Sequence, residues 1–181
     1  MAEHLGAIVI DKRFCGPAGS ANGGYASGAL AAFIDGPAEA TLKAPPPLGA
    51  PLRVERRGES VVALEGDTLI AEARPARIAV DLPLIPDAAA IDAARAEFCA
   101  NPQSRIFPSC FVCGPRRNDG LRIFAGAASH GVNADYWTPA DDLASADGLV
   151  APEFVWAALD CPSAFALRRT EGLCLLGRYA V

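Results

Sequence analysis

Lysine is nearly absent from this chain. Of its 16 lysines and arginines, only Lys12 and Lys43 are lysines, and no stretch gathers the basic residues into a stripe. With a formal net charge of −5, this argues against nucleic acid or an anionic membrane as a partner. Histidine is equally scarce: His4 and His130 are the only two, and neither sits in a ligand pattern. No apolar run reaches the length needed to span a bilayer. The start, MAEHLGAIVIDKRF, has no basic lead and no cleavage-site pattern, so it does not read as a signal peptide. These absences predict a cytoplasmic protein whose six cysteines are reduced thiols.

What is present suits a folded chain. Apolar residues make up 51% and charged ones 20% of 181 positions, enough for one sizeable core or two small fused ones. Residues 5–14 read as a buried strand. The glycine-rich stretch GPAGSANGGYASGALAAF, Gly16 to Phe33, leads into a helix expected over about 23–35. A proline-rich break follows. LRVERR, SVVALE and TLIAEARPARIAV then read as a β-meander, with hairpin turns at Gly58-Glu59 and Gly66-Asp67. A second helix, capped by Asp87 and with Ile91, Ala94 and Phe98 on one face, reads as a connector. Strands are expected at about 121–128 and 132–137 around a turn at His130-Gly131. A third helix opens at Pro152-Glu153, and LCLLGRYAV reads as a last strand. The order resembles a weak internal repeat: a first copy over 1–80, a connector over 81–109, and a second, partial copy over 110–181. The final strand is expected to present an open edge, covered by a partner chain or by a tail beyond this sequence. A homodimer or higher homo-oligomer is the corresponding expectation.

The glycine-rich loop does not suit a nucleotide. No lysine and Ser/Thr pair ends it, its glycines miss the dinucleotide register, and no acidic residue closes a second parallel strand. Helix-start chemistry fits better. Asn22 can cap the helix and leave amides free at Gly23, Gly24 and Tyr25. Two missing side chains let a ligand approach the backbone, and free amides at a helix start suit a developing oxyanion. Gly28, Ala31 and Ala32 keep one helix face slim. An ordinary turn with an ordinary asparagine cap reads the same residues.

In the third helix Glu153, Trp156, Asp160 and Ser163 share a stripe. Asp160 stands in an apolar run, VWAALDCPSAF, where burial would raise its pKa and suit it to base or acid work. The alternative is an aspartate that faces solvent or caps the turn at Pro162.

Two motifs carry a resemblance. CFVCGPRRNDGLRIF, Cys110 to Phe124, is similar to the Cys-Phe-x-Cys-Gly-Pro…Gly-Leu run of hotdog-fold acyl-CoA thioesterase relatives. NGGYASGALAAF is similar to the His-Gly-Gly helix start of small hotdog thioesterases, which place a catalytic Asp seven residues beyond the second glycine. The resemblance implies an α+β hotdog fold, an antiparallel sheet wrapped round a central helix, in two tandem copies with the second incomplete. Asn22 stands where the family has His, and Ala31 where it has Asp. In the second copy Ala151-Pro152-Glu153 replaces His-Gly-Gly, and Asp160 keeps the acid. The resemblance further implies that helix start and acid come from opposite copies. Asp160 would then be general base or nucleophile, Gly24 and Tyr25 would supply oxyanion amides, and Asn22 would orient the carbonyl or a water. Gly23 would bind substrate, and Glu153 and Trp156 would shape the mouth of the acyl channel. The substrate would be an acyl thioester, with coenzyme A as part of it and no separate cofactor. A non-catalytic acyl-thioester binder remains the alternative. A hotdog dehydratase would need a histidine that neither His4 nor His130 supplies.

Cys110 and Cys113 have zinc-like spacing, with Cys99 upstream, but a second CxxC is missing, so no metal is expected. Cys161, beside Asp160, reads as a core residue. Arg116, Arg117 and Arg122 could meet phosphates or form a solvated turn.

Overall fold

A computed structural model describes residues 2–101, 106–167 and 174–181. It is an α+β fold with an antiparallel sheet and three α-helices among those residues. The strands are β1 (Glu3–Val9), β2 (Ala38–Leu42), β3 (Pro51–Arg57), β4 (Ser60–Glu65), β5 (Thr68–Pro75) and β8 (Arg178–Ala180), in the order β1-β3-β4-β5-β2-β8. A two-stranded ribbon joins β6 (Gly126–Ala127) to β7 (Asn133–Ala134). The helices are α1 (Gly23–Ala31), α2 (Ala88–Ala100) and α3 (Pro152–Ala166).

The meander forms where the glycine turns were expected. Gly58 and Gly66 adopt φ of 64° and 58°, the left-handed region that glycine enters without penalty. Strands β3, β4 and β5 pair in sequence order, with Val54 opposite Ala63 and Ala63 opposite Ala71. Their buried side chains, including Val54, Val61 and Ile70, pack with Leu30 and Ala31 of α1 and with Trp156 of α3.

Helix α1 is therefore covered twice, by the sheet on one side and by α3 on the other. Its crossing with α3 is close because it lacks side chains at the contact. A Cβ on Gly24 would stand 2.6 Å from the Trp156 carbonyl oxygen, and one on Gly28 would stand 2.7 Å from the Glu153 Cα. On its far side α3 packs Phe154, Ala157 and Ala158 against Phe111, Val112 and Leu121.

Three expectations need correction. Helix α1 ends at Ala31, short of residue 35. The two strands near 121–137 shrink to two residues each, because Leu121, Ile123 and Ala125 turn inward to pack beside Phe111. The final strand is not left unpaired: β8 lies antiparallel to β2, with Tyr179 opposite Ala40, so it extends the sheet of the first segment. Parts of the third-helix and last-strand expectations, at 168–173, lie outside the described residues. No described helix is long and apolar enough to cross a membrane.

Candidate functional site

The loop before α1 is shaped by its backbone. The Gly16 N–H donates to the Ser20 carbonyl at 3.0 Å, and the Asn22 N–H donates to the Phe14 carbonyl at 2.8 Å. A Cβ on Gly16 would lie 3.0 Å from the Asn22 Cα, so glycine there lets the loop fold back on itself. This delivers Asn22 to the start of α1 in extended conformation, as an N-cap requires. Its Oδ1 accepts from the Tyr25 N–H at 2.9 Å.

Asp160 meets that cap from α3. It is only 8% exposed, which removes the solvent-facing alternative. Its Oδ2 accepts from the Gly24 N–H at 2.9 Å and from Asn22 Nδ2 at 3.0 Å. Its Oδ1 has no hydrogen-bond partner among the described residues. Burial pushes the carboxyl up to about 6, opposed by the Gly24 amide, raised further by Cys110 and lowered by Asn22. The result is a carboxylate held near neutrality and fixed by two donors, with one oxygen unused.

Asp160 and Asn22, with Gly23, border an apolar cavity of about 420 Å³. Asn22, Gly23 and Asp160 line it on the polar side, and Leu42, Phe107 and Phe165 are among its apolar walls. It lies at the seam between the glycine-rich loop, the segment after β2, the cysteine turn and α3.

The structure redistributes the expected roles. Asn22, Gly23 and Asp160 come together as anticipated. The amides of Gly24 and Tyr25 were expected to be free for an oxyanion, and they are not: Asp160 occupies the first and the Asn22 side chain the second. Of the three helix-start amides, Gly23 alone lines the cavity and donates to no described group. The Tyr25 ring lies elsewhere, stacked 4.2 Å from Phe14, where burial and then Glu153 push its hydroxyl up to about 12. Glu153 and Trp156 do not shape a channel mouth. Glu153 packs beneath Gly28, and Trp156 is buried in the sheet-side core, edge-on to Tyr179 at 5.0 Å.

Two surprises concern residues given bland readings. Cys161 joins Cys110 and Cys113, their three sulfurs within 4.8 Å of one another, and all three line the cavity. The sequence signal was available in outline: Cys161 follows the one buried acid on α3. Only packing shows that the turn carrying the other two faces it. Arg117 is a brace rather than a phosphate ligand. It pairs with Asp119 at 2.5 Å and donates to the Arg13 carbonyl, while Arg122 donates to the Arg117 carbonyl at 2.9 Å.

Comparison with protein-family models, curated proteins and solved structures finds no match to this chain.

Proposed function

We propose that the chain hydrolyses an acyl thioester, in the manner of the hotdog-fold thioesterases that its two motifs resemble. The observation that carries this reading is the juxtaposition of a buried, doubly anchored Asp160 with a free helix-start amide at Gly23 on one apolar cavity. In a tandem hotdog arrangement the first segment supplies the helix start and the second supplies the acid.

The chemistry follows from the geometry. The acyl chain lies along the apolar walls, which favours burial of its methylenes. Its carbonyl oxygen points at the Gly23 N–H at the positive end of α1. Asp160 Oδ1 takes a proton from water, whose oxygen attacks the carbonyl carbon. The tetrahedral oxyanion is held by the Gly23 amide. The C–S bond then breaks, the carboxylic acid forms, and Asp160 returns the proton to the departing thiolate. Asn22 and Gly24 keep Oδ2 fixed throughout, so Oδ1 does not swing away. Asn22 is thus a positioning residue.

One observation favours the second reading, a non-catalytic acyl-thioester binder. Only one of the three expected amides remains available for an oxyanion, which weakens stabilisation of the transition state more than it weakens binding. The decisive experiment measures hydrolysis of a panel of acyl-CoA thioesters by wild type and Asp160→Asn. General-base catalysis predicts a loss of about 100-fold or more in kcat for the variant. Equal rates for both proteins would discard Asp160 as the base. Saturable binding without turnover by wild type would establish the binder.

A further inference from the structure

The cysteine turn is built tightly. The Gly114 N–H donates to the Cys110 carbonyl at 2.9 Å, and a Cβ at Gly114 would stand 2.4 Å from that same oxygen. Glycine at this place lets the chain reverse directly after Cys113. Phe111 and Val112, fully buried between the two cysteines, anchor the turn in the core. Helix α3 then brings Cys161 to the pair.

The three sulfurs sit within 4.8 Å of one another, and Cys110 Sγ is 3.8 Å from Cys161 Sγ. A tetrahedral zinc ion with Zn–S bonds of about 2.3 Å has sulfur–sulfur edges of about 3.8 Å. The spacing found between the turn and the helix is therefore the spacing that coordination would impose. No histidine or carboxylate completes a closed set of four among the described residues. All three cysteines are among the residues that line the cavity.

We propose that Cys110, Cys113 and Cys161 bind one thiolate-preferring divalent cation of the zinc class, with the fourth coordination position open to the cavity. The arrangement matches an accessible three-ligand site better than a closed structural one. A metal there would tie the cysteine turn to α3, and the thiols would release protons on binding.

The test is cobalt(II) titration of the reduced full-length chain, followed by displacement with zinc(II). The expected result is one equivalent of cobalt bound, with sulfur-to-cobalt charge transfer and the intense ligand-field bands of tetrahedral coordination, both lost when zinc is added. Cys161→Ser should weaken binding by at least ~10-fold. Cys99→Ser, altered at an exposed position on α2, should bind as wild type does. Zinc should also raise the melting temperature of wild type and not that of Cys161→Ser. If Cys161→Ser fails to fold, Cys113→Ser makes the same comparison. No tetrahedral thiolate spectrum from reduced wild type, or undiminished binding by the folded serine variant, would overturn the proposal. The readout is metal binding, so the outcome is separate from that of the hydrolysis assay.

Discussion

Gly24 and Gly28 show how much one hydrogen atom in place of a methyl can decide. They lie four residues apart on α1, on the face that meets α3. At Gly24 an added Cβ would collide with backbone of Trp156 and Ala157, and with the Cβ of Asp160. None of those atoms can rotate away. Gly24→Ala and Gly28→Ala should each destabilise the fold by about 1–3 kcal/mol, since overpacking forces the two helices apart. Thermal or denaturant melts would measure it, and an unchanged midpoint would show that the helices do not touch as described. If Asp160 is the base proposed above, Gly24→Ala should also lose hydrolysis beyond its effect on folding, because the collision falls on the Asp160 Cβ that carries the carboxylate. A second residue-scale prediction concerns Asp135. Its side chain is fully buried and pairs with Arg95 of α2, and it also accepts from the Phe124 N–H. Arg95→Ala would leave a buried carboxylate with only two backbone donors, the Phe124 and Tyr136 N–H groups, and should cost about 2 kcal/mol in a denaturant melt.

Among the elements, α1 and α3 do most to organise the site, and their roles differ. Helix α1 contributes backbone: an asparagine cap, one amide with no acceptor among the described residues, and a side chain-free face. Helix α3 contributes side chains, Asp160 and Cys161, in consecutive positions. Pro162 follows them and removes one N–H from the helix ladder, while Ser163 Oγ donates to the Asp160 carbonyl at 2.7 Å. Strand β8 ties α3 to the sheet, because the Tyr179 hydroxyl donates to the Trp156 carbonyl at 2.5 Å. Burial, then the nearness of Asp160, raises that hydroxyl's pKa, so it stays a donor across the working range of pH. Tyr179→Phe should lower stability by about 1 kcal/mol. It should leave the Asp160 contacts intact, so kcat should change far less than in Asp160→Asn. A comparable loss of kcat would mean that β8 sets the position of the acid.

At the scale of the whole molecule, the last strand changes the argument about assembly. The expected homo-oligomer was motivated by an unpaired final strand, and β8 is paired with β2. Among the described residues, the two ends of the strand order are β1 and β8. A second copy pairing at the β8 edge remains the natural way to continue the sheet, and sedimentation at micromolar concentration should show a dimer. A stable monomer there would remove the proposal.

The sequence by itself determined those features whose cause is local. The meander and its glycine turns, the caps at Asn22 and Asp87, and the α+β class all follow from residues within a few positions of one another. The pairing of a helix start with Asp160 was also legible, through the resemblance and the complementary gaps at Ala31 and Ala151-Pro152-Glu153. Tertiary structure alone decided what each group faces. It gave the Gly24 amide to Asp160 and left Gly23 open, sent Trp156 into the core, and carried Cys161 to the cysteine turn. The physical reason is that an N–H or a thiol takes its role from its nearest partner. Those partners lie up to 138 residues away in the chain, where no local pattern records them.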